Sequence, residues 1–255
     1  VIAERFRLDA KVTLITGATS DIGIAVARVL AELGASVVLA GRRVEELEVV
    51  AGELRDAGKI AYPVRMDVRD GRSVREAIDA AVQRFGRLDG VINNAAVPNR
   101  TPTLDLHDEE WREVMDVNLV GAFRVCREAA RYMLPRRHGR VVNIASTHGL
   151  LPYPNRCAYG VSKAALIHLT RSLALEWAPH GVTVNAVAPA TTATRGRAEV
   201  LADPEMYRRF VDRIPLGRLA TPEDVAAAVA FLVSPAAAFI TGHVLLVDGG
   251  LTLHA

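Results

Sequence analysis

The chain reads as an α/β protein: a single doubly wound parallel sheet of about seven strands with helices on both faces. Three observations predict this. Short apolar runs alternate with amphipathic stretches from end to end. No linker, repeat or low-complexity tract interrupts them, which leaves one domain over 1–255. Between the first apolar run and the first amphipathic stretch stands a glycine-rich turn, as a strand–turn–helix unit requires. With 255 residues and 50% hydrophobic content, the chain has material for a large core.

Val12–Thr16, apolar and β-branched, is the first strand and ends at Gly17. Beyond the turn at 18–23, Ile24, Val26, Ala27, Leu30 and Leu33 recur at helical spacing until Gly34 closes the helix. The run 35–40 is a second strand and completes a βαβ unit. Further strands are expected at 61–65, 88–92, 140–145, 182–187 and 243–247, and helices at 72–86, 109–134, 158–177 and 222–232. The stretch 225–247 lacks formal charge over 23 residues, as a membrane span would. Ser234-Pro235 and Thr241-Gly242 break it, so a helix, a loop and a last strand are expected instead.

Composition narrows the function. A net charge of +2, with no basic run interleaved with aromatics, argues against a nucleic-acid partner. Positions 1–11 carry five charges and no apolar core, so no signal peptide is expected. Two isolated cysteines, Cys126 and Cys157, fit a reducing cytoplasm. Seven scattered histidines include no His-x-x-x-His pair, and no metal site is expected.

Chemistry is concentrated in Tyr159-Gly160-Val161-Ser162-Lys163, with Ser146 thirteen residues upstream of the tyrosine. Positions 159 and 163 share a face if 158–177 is helical. An ammonium beside a phenol lowers the phenol pKa from roughly 10 toward neutrality. A tyrosine tuned in this way exchanges a proton with a substrate oxygen, and a serine at the end of the preceding strand holds that oxygen. At the other end of the chain, the first helix offers free N–H groups and a positive dipole end to a pyrophosphate. Mid-helix, Asn118 is an intrinsically poor choice. His148, two residues after Ser146, is either a pocket residue or a plain loop histidine.

In these residues the chain resembles the short-chain dehydrogenase/reductase family over nearly its whole length. Thr16-Gly17-Ala18-Thr19-Ser20-Asp21-Ile22-Gly23 is similar to that family's cofactor turn, Asp67-Val68 to its adenine contact, and Asn93-Asn94-Ala95-Ala96 to its strand-end motif. Asn118, Ser146, Tyr159 and Lys163 fall at its four catalytic positions, and 189–194 resembles the segment that holds the nicotinamide carboxamide. The resemblance implies a Rossmann-type fold and hydride exchange between a nicotinamide dinucleotide and a ketone or secondary alcohol. It also implies cofactor contacts from Gly17, Thr19, Ser20, Asp21, Ile22, Arg42, Arg43, Asp67, Val68, Asn94, Ala95, Pro189, Thr192 and Thr194, besides Tyr159 and Lys163. By the same resemblance, Asn118 kinks its helix and holds a water that leads to the lysine.

Asp21, Ala96 and Ala190 stand where the family usually has glycine. Asp tolerates a left-handed backbone, but the Asp21 carboxylate would lie near a pyrophosphate unless it caps the following helix instead. After the second strand the chain reads Gly41-Arg42-Arg43, without the carboxylate that would accept from the ribose of NAD. Arg42 suits a 2′-phosphate, so NADP(H) is favoured, with NAD(H) possible.

For substrate, the chain resembles the 3-oxoacyl-acyl-carrier-protein reductases and the gluconate, glucose and polyol dehydrogenases, which implies a 3-oxoacyl reductase-like activity with a sugar, polyol or sugar-acid (gluconate-type) dehydrogenase as the alternative. Arg131 matches one arginine that docks the acidic carrier, while Leu175 takes the place of the other. His148, Tyr153 and Ala190 are the substrate-lining candidates, and the arginine-bearing segment 195–213, which includes Glu199, is read as a cover. Leu166, Ile167, Leu169, Leu173, Ala174, Leu175 and Trp177 nearly encircle the helix 158–177, which points to a homotetramer or homodimer. A reading from another class is a non-catalytic NADP sensor.

Overall fold

The computed structural model describes residues 2–198 and 202–254. Seven parallel strands, β1 (Val12–Thr16), β2 (Ser36–Gly41), β3 (Ala61–Arg65), β4 (Gly90–Asn93), β5 (Gly139–Ile144), β6 (Val182–Pro189) and β7 (Val244–Val247), form one sheet. Their order is β3-β2-β1-β4-β5-β6-β7, the doubly wound arrangement expected from the alternation. Successive residues of a strand point to opposite faces, and both faces are covered. Ile15, Val37 and Leu39 join one core under α1 (Asp21–Glu32) and the late helix α8 (Pro222–Val233). Leu14, Val38 and Ala40 join the other, under α3 (Gly71–Phe85) and α5 (Ala122–Met133). Each fully buried valine, leucine or isoleucine among them contributes about 1.5–3 kcal/mol.

Two further helices complete the first half: α2 (Val44–Asp56), after β2, and α4 (Asp108–Met115). The helix expected at 109–134 is not one uniform element. A π-helical turn, Asp116–Gly121, separates α4 from α5 and carries Asn118 inward, where it is 1% exposed. Such turns insert one residue into a helical ladder and redirect a side chain. After β5 come a short 3₁₀ turn, Thr147–Gly149, and the long α6 (Cys157–Trp177). The segment beyond β6 holds a 3₁₀ turn, Arg195–Arg197, and α7 (Pro204–Val211); Glu199 lies outside the described residues.

The strand order reverses at β1, whose neighbours are β2 and β4. Chains leaving the carboxyl ends of β1 and β4 diverge there and open a crevice. No described helix is long and apolar enough to cross a membrane.

Candidate active site

The crevice is built first by the turn after β1. Gly17 has φ +61°, and an added Cβ would stand 2.9 Å from Ala95 Cα, so neither the backbone angle nor the space admits a side chain. Thr16 Oγ1 accepts from the backbone N–H groups of Asn94 and Ala95, both at 3.0 Å. Asn94 Nδ2 donates in return to the Gly17 carbonyl at 2.9 Å and to Ser20 Oγ at 3.0 Å. The end of β4 is thus stapled to the glycine turn. Ser20 caps α1 by accepting from Gly23 N–H at 3.1 Å. The N–H groups of Asp21 and Ile22 open the helix without an intrahelical partner, and the Ile22 side chain packs on the core.

A cleft of about 210 Å³ follows this turn, lined by Gly17, Thr19, Ser20, Asn94 and Ala95 on one side. Arg42, Arg43, Asp67 and Val68 line the other. Its donor-rich floor and cationic rim fit a dinucleotide: N–H groups for phosphates, guanidinium groups beyond β2. Arg43 is fixed by Thr19 Oγ1 and Glu46, each at 2.9 Å. The Asp67 carboxylate is turned onto Arg69 at 2.7 Å, which holds its pKa below the usual carboxylate range. Arg42 therefore remains the guanidinium at this rim without an ion pair, among the described residues.

Asp21 departs from one of its two sequence expectations, the helix cap. It does not cap α1, since Ser20 does. Its carboxylate instead accepts from the Arg195 backbone N–H at 2.7 Å and from the Arg195 guanidinium Nε. The glycine turn is thereby tied to the segment after β6. Thr194, just before this tie, shares a groove with Thr19 and Asp21. Thr192 is buried with its hydroxyl on the Ala190 carbonyl at 3.1 Å, and Pro189 ends β6. Ala190 faces a separate cavity beside β7, apart from His148 and Tyr153.

The second cluster lies at the carboxyl end of β5. Ser146 caps the 3₁₀ turn, its Oγ accepting from His148 N–H at 3.2 Å. That turn lies directly on α6, because a Cβ on Gly149 would stand 2.8 Å from the Lys163 carbonyl carbon. The close approach sets Ser146 near enough to Tyr159 for its hydroxyl to favour the phenolate. Lys163, 2% exposed, donates from Nζ to the Ile144 carbonyl at 2.7 Å and stands 5.6 Å from the centroid of the Tyr159 ring. Burial lowers its pKa to about 8.

The Tyr159 pKa is not depressed as the sequence reasoning expected. Burial raises it above its ordinary value, outweighing the opposing pull of Ser146, Arg197 and Arg156. The physical reason is that desolvation of the phenolate dominates, while the Lys163 ammonium is engaged by the Ile144 carbonyl. The phenol accordingly keeps its proton at neutral pH.

Asn118 is not an exposed helical residue. Its Oδ1 accepts from Val97 N–H at 2.8 Å, and its Nδ2 donates to the Val97 carbonyl at 3.0 Å and to Ser162 Oγ at 3.1 Å. The amide acts through Ser162, the neighbour of Lys163, and both its ends are engaged.

Beside Tyr159, His148 packs edge-on to the phenol ring with centroids 6.0 Å apart, and also meets Tyr153 at 5.3 Å. Burial, with Arg156, Arg197 and Arg213 nearby, lowers the His148 pKa to about 4, so the imidazole is neutral. Arg156 was not legible as a site residue: it is one of many arginines, and only its position three residues before Tyr159 hints at a role. Among the described residues, no three His, Cys, Asp or Glu side chains gather as a metal site.

A family model described as enoyl-(acyl carrier protein) reductase matches residues 17–252. The chain belongs to the short-chain dehydrogenase/reductase family and is an NAD(P)-dependent oxidoreductase of that type. It is 42% identical over 243 residues to the cis-4-hydroxycyclohexanecarboxylate dehydrogenase of Sinomonas cyclohexanicum, covering 95% of this chain and 96% of that one. Identity to the 3β-hydroxysteroid dehydrogenase 1 of Eggerthella lenta is 40% over 249 residues, covering 97% and 95%. Among solved structures, a gluconate 5-dehydrogenase from Burkholderia cenocepacia in complex with NADP and tartrate superposes with a TM-score of 0.94. The two are 36% identical, with 98% of each chain covered.

Proposed function

We propose that the chain, acting over 1–255 as one binding and catalytic unit, interconverts a ketone and a secondary alcohol with Tyr159 as general acid and base. The observation that carries this reading is the meeting of Ser146, Tyr159 and Lys163 at the carboxyl end of β5, next to β4, whose end lines the cleft. When bound, the nicotinamide supplies or takes the hydride. In reduction Tyr159 gives its hydroxyl proton to the carbonyl oxygen, and Ser146 donates a hydrogen bond to that oxygen as charge develops. A phenol that burial keeps protonated suits this direction. Lys163 would hold the nicotinamide ribose, and Asn118 fixes the helix face that carries it through Ser162. Gly17, Thr19, Ser20 and the N–H groups of Asp21 and Ile22 would hold the pyrophosphate; Asp67 and Val68 the adenine; Pro189, Thr192 and Thr194 the carboxamide end. NADP(H) is favoured over NAD(H), because Arg42 lines the cleft beyond β2 with no ion pair among the described residues, and Arg43 and Arg69 line it too. A relative's structure with NADP supports this preference.

Between substrate classes, a small sugar, polyol or sugar-acid substrate is favoured over a carrier-bound 3-oxoacyl group. Arg131 is already paired with Glu128 at 2.9 Å, and Leu175 is 83% exposed where a second docking cation would be needed. A non-catalytic sensor would not need both Tyr159 and Lys163. Apolar side chains left exposed on neighbouring helices, Val161 and Leu175 on α6 and Phe123 on α5, favour a homotetramer. Two free thiols fit a cytoplasmic setting. The test is loss of NADPH absorbance with ketones, β-keto thioesters and keto sugars. Consumption of NADPH with one of these classes is expected; tight NADPH binding with no turnover of any would leave the sensor reading.

A further inference from the structure

A small recess, with a cavity of about 60 Å³, opens beside His148, whose ring packs edge-on to Tyr159. His148 and Tyr153 form one wall, and Arg156, Arg197, Arg209 and Arg213 contribute side chains to the rest. No carboxylate lines it among the described residues. Arg209 is neutralised by Glu205 at 2.9 Å. The other three are not. Arg156 donates to the neutral Asn99 carbonyl at 2.7 Å, and Arg213 lies over the Tyr153 ring, 5.6 Å from its centroid. Among the described residues, Arg156, Arg197 and Arg213 make no ion pair, although arginines elsewhere on this surface readily find one. Arg28 pairs with Glu53, Arg55 with Glu48, Arg112 with Asp108 and Arg218 with Asp224.

Arg156 and Arg197 are also half-buried, and burial, followed by the nearby charge of Arg100, pulls both below the ordinary arginine value. A guanidinium does not give up its proton under such pressure, so the recess stays positive. Like charges gathered in a partly dry hollow repel one another, and an anion entering the hollow relieves that repulsion while accepting forked hydrogen bonds. His148 in the same wall is neutral near pH 7 and competes with no cation. The recess therefore lies beside the proton donor and is shaped and charged for an anionic group on the compound being reduced.

We infer that this recess is a carboxylate subsite, formed by Arg197, Arg213 and Arg156, and that the substrate is an oxo acid or hydroxy acid whose carbonyl or carbinol carbon meets Tyr159. This deepens, and rests on, the reading of the chain as a ketone/alcohol oxidoreductase. Two relatives are named for carboxylate-bearing substrates, cis-4-hydroxycyclohexanecarboxylate and gluconate, which favours a carboxylate over a phosphate monoester.

Two measurements separate this inference from the reading beneath it. The first needs no turnover: glutarate, its dimethyl ester and propane-1,3-diphosphonate are titrated calorimetrically into the protein, alone and with NADP. Glutarate should bind at least about tenfold more tightly than the ester. Arg197→Gln should weaken glutarate by at least about tenfold, with Arg197→Lys recovering part of the loss. Equal binding of acid and ester, or glutarate affinity indifferent to Arg197→Gln, would overturn the subsite; tighter binding of the phosphonate would overturn its assignment to a carboxylate. The second measurement compares kcat/KM for 4-oxocyclohexanecarboxylate and its methyl ester. The acid-to-ester ratio should exceed about ten and fall toward one in Arg197→Gln and Arg213→Gln. Turnover of acid and ester with equal efficiency removes the subsite and leaves the oxidoreductase reading intact. Arginine-dependent glutarate binding without reduction of either ketone supports the subsite and counts against that reading.

Discussion

Replacing Lys163 by methionine should stabilise the protein while abolishing its activity. The wild-type ammonium is 2% exposed, and burial lowers its pKa from the ordinary 10.5 to about 8. Holding that group charged in the native state at pH 7 therefore costs about 3 kcal/mol relative to the unfolded chain. Methionine fills a similar volume without charge, but it forfeits the hydrogen bond to the Ile144 carbonyl, worth about 1 kcal/mol. The net expectation at pH 7 is a gain of about 2 kcal/mol, read as a higher urea midpoint with an unchanged slope. The sign of the pH dependence follows from a lowered folded pKa. Below about 8 the lysine is protonated in both states, and the wild type bears the whole penalty. Between there and 10.5 the native protein has released a proton that the unfolded chain retains, so wild-type stability climbs with pH. By about pH 9.5 roughly 2 kcal/mol of the variant's advantage should have gone. A Lys163→Met protein no more stable than wild type at pH 7, or an advantage equal at both pH values, would refute the picture of a charged lysine held in a dry site.

Tyr159→Phe should lower kcat by at least about a thousandfold, with NADPH binding changed less than about twofold; a variant that retains a tenth of the rate would remove the tyrosine from its role. Arg42→Asp should shift the ratio of kcat/KM for NADP over NAD by about 10–100-fold toward NAD, since a charge-assisted contact is replaced by a repulsive one. A ratio that does not move would make Arg42 a surface residue. Asp21→Gly deletes the acceptor of the Arg195 backbone N–H, so hydrogen exchange at Arg195 should accelerate well before global unfolding. Unchanged protection there would mean that the tie does not hold this segment.

Where the chain's own local chemistry sufficed, the sequence was a reliable guide. Val12–Thr16 is a strand at the expected bounds, because a continuous apolar, β-branched run has few other ways to bury itself; Ala61–Arg65 also keeps its expected bounds. Gly17 marks the turn because only glycine meets both its positive φ and the approach of Ala95. Tyr159 and Lys163 share one helix, so their spacing alone set them on a common face. The strand expected at 88–92 runs over Gly90–Asn93, although Asp89 N–H still donates to the Val12 carbonyl at 2.8 Å, so the two bounds differ only at the frayed start.

The tertiary structure alone decided matters that depend on distant partners and on burial. Asp21 finds Arg195 at a separation of 174 residues, which no pattern around position 21 announces. A uniform helix over 109–134 satisfies periodicity equally well, yet packing inserts the π turn that buries Asn118 against Val97 and Ser162. The Tyr159 phenol is raised rather than lowered because its pKa answers to the water removed around it and not to the lysine four residues on. The arginines of the recess that pair with no carboxylate among the described residues come from three separate segments, before α6, after β6 and beyond α7. Sequence fixes which charges exist and how each short stretch prefers to fold; charge pairing and desolvation are sums over neighbours in space, and those neighbours are chosen only when the sheet closes.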